Sequence, residues 1–184
     1  MAFANLGLHS QVVKAVAAAG YTSPTPVQAQ AIPAALACGD LLVSSHTGSG
    51  KTAAFMLPCL HRLAESAAGN SPRVLVLTPT RELALQVAKT AETYGRFLKH
   101  LRTVCIVGGA PFFRQQQLLK QGADVIVATP GRLLDHLERG RIDLSRIETL
   151  VLDEADRMLD MGFIDDIELI VARIPSARQT LLFS

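Results

Sequence analysis

Residues 45–54 read "SHTGSGKTAA" and gather two glycines, a lysine and a hydroxyl within a few positions. Gly48 and Gly50 allow a tight turn, so that the N–H groups of Thr47, Gly48, Ser49 and Gly50 can face a common anion. Lys51 adds a mobile positive charge suited to terminal phosphates, and Thr52 offers a hydroxyl to Mg²⁺. A helix following the loop aims its positive N-terminal end at the same place. The general pattern G-x-x-x-x-G-K-[ST] has glycine first, whereas this chain has Ser45 there. The ordinary alternative is a glycine-rich turn that only joins a strand to a helix. His46 reads as an exposed side chain tolerated within the loop.

A phosphate site needs an acidic partner at the end of another buried strand, and "ETLVLDEADRMLD" (148–160) supplies one. Leu150, Val151 and Leu152 form the apolar run, which places Asp153 at its carboxyl end, where open α/β sheets bind ligands. Adjacent Asp153 and Glu154 are unfavourable in a crevice without a cation between them and a polyphosphate. In that reading Asp153 holds Mg²⁺ through water and Glu154 orients or deprotonates the attacking water. Taken alone, Glu154 and Asp156 could equally be the acidic first turn of a helix.

Two further junctions place cations where a helix dipole disfavours them. "LTPTRELALQVA" has Thr80 as the expected N-cap after Pro79, with Arg81 in the first turn. "VATPGRLLDHL" has Thr129 as N-cap, Pro130 at the first helical position, then Gly131 and Arg132. A first-turn cation costs about 0.3–1 kcal/mol at an exposed site. Lys51 faces the same cost for the sake of a phosphate, so Arg81 and Arg132 point to further anions, and a chain of phosphates suits them. Gly108 and Gly109 in "IVGGAPF" would let a ligand backbone approach closely. Such a surface holds a strand by its backbone without reading its sequence. Each piece also has a plain reading: a helix start, a turn, or Arg81 paired with Glu82.

The elements that must position these residues follow from patterning. Apolar strand-like runs cover 41–45, 74–78, 103–107, 124–129, 150–153 and 180–184. Helical spacing recurs through Leu83, Val87, Ala91 and Leu98, and through Leu133, Leu134 and Leu137. It recurs again through Leu159, Phe163, Ile167 and Ile170, with Gly162 separating two pieces. Strands alternating with helices indicate an α/β fold, a mostly parallel central sheet with helices on both faces. The first 38 residues differ, with a helix over 10–19 and then Pro24 and Pro26 fixing an extended turn before another helix. Residues 67–72, "AAGNSP", are the expected flexible loop.

At 184 residues the chain suits a single domain, and 49% apolar with 18% charged residues excludes disorder. No apolar stretch is long enough for a transmembrane helix. Residues 1–20 lack a signal-peptide pattern, so the expected location is cytoplasmic. The three cysteines, Cys38, Cys59 and Cys105, have no metal-like spacing and read as reduced thiols. A net charge of +2 neither requires nor forbids a nucleic acid, so that case rests on where the cations sit.

Together these residues resemble the first RecA-like domain of a DEAD-box RNA helicase. The four-letter signature is Asp153-Glu154-Ala155-Asp156, and "SHTGSGKT" is similar to the family's motif I with Ser45 at its usual alanine. "PTRELA" (79–84), Gly108-Gly109 and "TPGR" (129–132) resemble its RNA-contacting motifs. "GYTSPTPVQ" (20–28) resembles the Q motif, with Phe3 at the upstream aromatic position. The wording around "DEADRMLDMGF" is similar to bacterial members of the RhlE type. The resemblance implies a RecA-like P-loop domain over residues 1–184, with 1–38 as its Q-motif region, that binds ATP and Mg²⁺. It implies that Gln28 reads the adenine edge, Phe3 stacks on the base and Tyr21 helps wall the pocket. It implies RNA as the polyanion, and Asp156 and Ser184 as coupling residues, Ser184 opening a Ser-Ala-Thr motif. The run "RQTLLFS" (178–184) ends inside an apolar strand, so a severed domain is expected, acting as a monomer with a second RecA-like domain missing. The rivals are a P-loop DNA translocase and a non-enzymatic RNA-binding scaffold derived from a helicase.

Overall fold

The computed structural model describes residues 2–66 and 69–184. Six parallel strands form one sheet: β1 (Leu41–Val43), β2 (Val74–Leu77), β3 (Thr103–Ile106), β4 (Val125–Ala128), β5 (Thr149–Asp153) and β6 (Gln179–Phe183). Their order across the sheet is β1-β6-β5-β2-β4-β3, with every pairing parallel. Each expected strand is present; β1 to β4 are shorter than expected by a residue or two, β5 starts one residue earlier and β6 is shifted back by one. Ser45, for example, lies beyond β1.

The helices are α1 (Ser10–Ala18), α2 (Pro26–Leu36), α3 (Lys51–Glu65), α4 (Arg81–Tyr94), α5 (Phe112–Lys120), α6 (Pro130–Glu138), α7 (Ala155–Asp160) and α8 (Ile164–Val171). Strand alternation divides the core into two layers. Val74 and Val76 of β2 and Val125 and Val127 of β4 pack with α1–α4, whereas Leu75, Leu77, Ile126 and Ala128 pack with α6–α8. Helix α3 runs through the first layer with residues 53–60 all buried. Phe55 meets Phe183 of β6 edge-on, ring centroids 5.3 Å apart. The helix behind the phosphate loop is thereby fixed to the strand beside it.

One helical expectation changes. Helix α4 ends at Tyr94, so Leu98 lies past the helix, although it still packs against the first layer. Gly95 caps that end in a crowded place, where a Cβ would stand 2.8 Å from the Ala91 carbonyl. Gly162, at φ +81°, does separate α7 from α8. Helix α5 has no apolar stripe to reveal it, since its one buried residue is Gln115. Of the expected 67–72 loop, residues 67 and 68 lie outside the described residues, and 69–72 are irregular. Among the described residues no helix is long and apolar enough to cross a membrane.

Candidate functional site

Because all six strands are parallel, their carboxyl ends share one edge, and every chemistry-bearing loop leaves from that edge. Strand order then sorts the loops. The phosphate loop follows β1, Ser184 follows β6 and Asp153 ends β5, so these three are neighbours. The Arg81, Arg132 and Gly108-Gly109 junctions follow β2, β4 and β3, which form the other half.

In the phosphate loop, Gly48 and Gly50 take φ values of +82° and +85°, a region that side chains disfavour. Lys51 is the first residue of α3, so the loop ends at a helix N-terminus as its chemistry requires. Ser45 is not a passive replacement for glycine: its hydroxyl bonds the Ser49 hydroxyl at 2.8 Å. The Q-motif segment braces the same loop. The Thr25 hydroxyl donates to the Ser49 carbonyl at 2.7 Å, and Gln28 Nε2 donates to the Gly50 carbonyl at 3.1 Å. Gln28 Oε1 accepts from the Thr25 N–H at 3.0 Å, closing the capping box that starts α2. Gln28 is therefore a buried strut of the loop, and its amide faces Gly50 and Thr25.

Asp153 is buried at the end of β5, 2% exposed, and its carboxyl is pushed up to about 6. Burial is the main cause and the Glu154 charge the second, with Lys51 and the Glu154 backbone pulling the other way. Glu154 adopts φ +54°, ψ +49°, a left-handed conformation uncommon for a non-glycine residue. Its carboxylate lies 3.8 Å from Lys51 Nζ. Strain of this kind, of order 1–3 kcal/mol, gathers at functional sites. Asp156 is exposed in the first turn of α7. Ser184 is held by its backbone: its N–H donates to Val43 at 2.9 Å, and its carbonyl accepts from the Ser45 N–H at 3.0 Å. Ser184 thus touches the first residue of the phosphate loop, and no Asp156–Ser184 hydrogen bond is present among the described residues.

Phe3 and Tyr21 border a common pocket of about 260 Å³ with Val13, Val16 and Ala17. Tyr21 is 57% exposed, but Phe3 is 5% exposed and belongs to the first core layer. Little of the Phe3 ring is available to stack on a base, because its packing against the N-terminal helices already covers it. A second cavity of about 580 Å³ lies between α2, β1 and the phosphate loop, lined by Thr25, Gln30, Val43, Ser45, Gly48 and Ser49 among others.

On the other half, Thr80 caps α4 by accepting from the Leu83 N–H at 3.3 Å, leaving Arg81 exposed in the first turn. Gly109 does not keep its space open for a ligand. A Cβ there would fall 2.7 Å from Arg81 Nη1, so the glycine accommodates the guanidinium, and its φ is +80°. Gly108 does have open space around it. Thr129 occupies the N-cap of α6 but makes no side-chain capping bond. Pro79 and Pro130 are buried and shape the backbone, while Gly131 is exposed. Arg132 does not stand alone: its Nη1 donates to the Ala110 carbonyl at 3.1 Å and contacts Gln115 Oε1 at 3.4 Å. Sequence reasoning missed Thr25, Gln115 and His136, and only the Thr25-to-Gln28 spacing of a capping box could have signalled one of them.

A phosphate loop on a helix start with an acid pair at the next-but-one strand is the arrangement of a P-loop nucleotide site, and the loops carrying Arg81 and Arg132 leave the same sheet edge. The family model for the DEAD/DEAH box helicase matches residues 25–184, and the chain belongs to that family. A curated relative named ATP-dependent RNA helicase DeaD, from Mycobacterium tuberculosis, is 49% identical over 99% of this chain and 32% of its own length. The protein of that name from Escherichia coli K12 is also 49% identical, over 99% of this chain and 29% of its own length. The crystal structure of a DEAD box protein from the hyperthermophile Methanococcus jannaschii superposes with a TM-score of 0.92 at 39% identity, covering 100% of this chain and 50% of that one. The chain thus spans about a third of the length of the curated relatives it matches.

Proposed function

We propose that this chain is the N-terminal, ATP-binding half of an ATP-dependent RNA helicase. It binds ATP–Mg²⁺ at the phosphate loop and single-stranded RNA by its backbone along the neighbouring loops. With a second RecA-like domain it opens short duplexes. The carrying observation is the sheet order, which puts the nucleotide loops on β1, β6 and β5 and the Arg81, Arg132 and Gly108-Gly109 junctions on β2, β4 and β3. Two ligands can then lie side by side on one edge, where closure of a partner domain would engage both.

The donor set fits Mg²⁺. Asp153 and Thr52 offer hard oxygens, and among the described residues no three His, Cys, Asp or Glu gather to hold a metal unaided. Phosphate oxygens and water would complete the shell, and the ion would supply charge neutralisation between the phosphates and the buried acid pair. Lys51 then leaves Glu154 for the terminal phosphates, and Glu154 is released to orient and deprotonate the attacking water. Asp156 and Ser184 would relay the nucleotide state to the second domain. We place the protein in the cytoplasm as a monomer.

The test compares ATP hydrolysis by a protein carrying both domains with hydrolysis by residues 1–184. RNA should stimulate the former more than DNA does. The latter should turn over very little, because an arginine finger typically contributes about 10³–10⁵ in rate. Equal stimulation by DNA would favour a translocase, and binding of RNA without any ATP consumption would favour a scaffold.

A further inference from the structure

Helix α5 buries a glutamine where a helix normally buries an apolar stripe, and that glutamine connects the Gly108-Gly109 loop with the helix that carries Arg132. Gln115 is 3% exposed, so its amide is unfavourable there unless both ends are satisfied. Nε2 donates to the Val107 carbonyl at 2.8 Å, immediately before the Gly108-Gly109 turn. Oε1 lies 2.9 Å from His136 Nε2 and 3.4 Å from Arg132 Nη1, both on α6. Since the Val107 carbonyl can only accept, the orientation of the amide is determined, and His136 must donate through Nε2. His136 is fully buried and lies flat on Phe112, ring centroids 4.0 Å apart at 9°. Its pKa is lowered to about 4, by burial first and then by Arg132, so the ring is neutral at physiological pH. Arg139 covers Phe112 at 4.4 Å from the ring centroid, and Arg132 donates to the Ala110 carbonyl at 3.1 Å.

We propose that Gln115 is a positioning residue that joins the Gly108-Gly109 turn and Arg132 into one rigid backbone-binding unit. It touches no ligand itself. Its two-ended amide fixes the spacing between the loop after β3 and the helix start after β4, so that successive phosphates meet donors already in place. Leucine or methionine would fill the volume without making either bond, and asparagine is one methylene short of spanning both ends.

The proposal rests on the RNA reading above, and the experiment separates the two. Residues 1–184 are prepared as wild type, Gln115→Met, Gln115→Asn, Arg132→Ala and Gln115→Met/Arg132→Ala. Affinity for a fluorescein-labelled oligouridylate, affinity for Mg–ADP, and amide hydrogen exchange are measured on each. Gln115→Met should weaken RNA binding about tenfold while leaving Mg–ADP binding within about twofold. The double variant should bind no more weakly than Arg132→Ala, because both changes disable one unit. Exchange should accelerate at residues 108–110 and not at 46–52, a readout that needs no RNA. Gln115→Asn should behave alike and carries the test should the methionine variant fail to fold. RNA affinity within about twofold of wild type in both glutamine variants, with Arg132→Ala impaired, overturns the proposal, as does unchanged exchange at 108–110. Failure of wild type to bind RNA, with exchange at 108–110 accelerated, overturns the RNA reading and retains Gln115 as the brace.

Discussion

Gln28 Nε2 donates to the Gly50 carbonyl at 3.1 Å, so the Q-motif glutamine is bonded directly to the glycine that ends the phosphate loop. A Cβ on Gly50 would collide with that same nitrogen. Glycine at position 50 leaves the room that this amide occupies. The region expected to meet the adenine also holds the loop expected to meet the phosphates, which gives one physical route from base to phosphate.

Gln28→Ala should therefore lower both stability and nucleotide affinity. Losing the capping box and the Gly50 bond should cost about 1–2 kcal/mol in urea unfolding. Gly50→Ala should do more harm, since it adds a close contact at a φ of +85°. A Gln28→Ala chain as stable as wild type would show that the clasp contributes nothing.

Asp153 sets a pH dependence. Its native pKa of about 6 lies above the ordinary value of 3.8, so the folded state holds this proton more tightly. The stability it contributes is full below the ordinary value and is lost as pH rises through about 6. Asp153→Asn should then stabilise the ligand-free chain at pH 7 by roughly 1–3 kcal/mol, and by little at pH 4. In the wild type, Mg²⁺-dependent nucleotide affinity should fall below a midpoint near pH 6, because a protonated Asp153 cannot serve the metal. Titrations at pH 5, 6 and 7, with and without Mg²⁺, check this.

Much of this was legible from residue order alone. The strands were readable because buried parallel strands are continuous apolar runs, and the phosphate loop because glycine, lysine and threonine have fixed tasks. Strand order was not readable, since nothing local says that β6 inserts between β1 and β5. Helix α5 was invisible because it buries Gln115. Gly108-Gly109 was read as space for a ligand, whereas the space beside Gly109 belongs to Arg81, a contact between residues 28 positions apart.

That contact gives a third prediction. Gly109→Ala should weaken RNA binding as Arg81→Ala does, about tenfold by loss of a charge-assisted contact, with nucleotide affinity unchanged. Equal loss of both affinities would indicate a folding defect.

Glu154→Gln should retain nucleotide affinity in a protein with both domains and abolish hydrolysis. The side chain is near-isosteric, and the left-handed backbone at Glu154 accommodates glutamine as it does glutamate. Single-turnover hydrolysis separates the two steps. Wild-type rates in this variant would remove Glu154 from the chemistry.

The core has its own prediction. Phe183→Ala removes a fully buried ring from β6, where it meets Phe55, and should cost about 3–5 kcal/mol. Denaturant unfolding reads the loss, and nucleotide affinity should weaken with it because α3 leans on that ring.

The most direct test is calorimetric titration of Mg–ADP and Mg–GDP into residues 1–184 and into Lys51→Ala, with thermal melts confirming that both are folded. Wild type should bind the adenine nucleotide, and Lys51→Ala should lose at least about tenfold in affinity without losing its fold. Undiminished binding in the folded Lys51→Ala chain, or no adenine-nucleotide binding by wild type, would contradict the account.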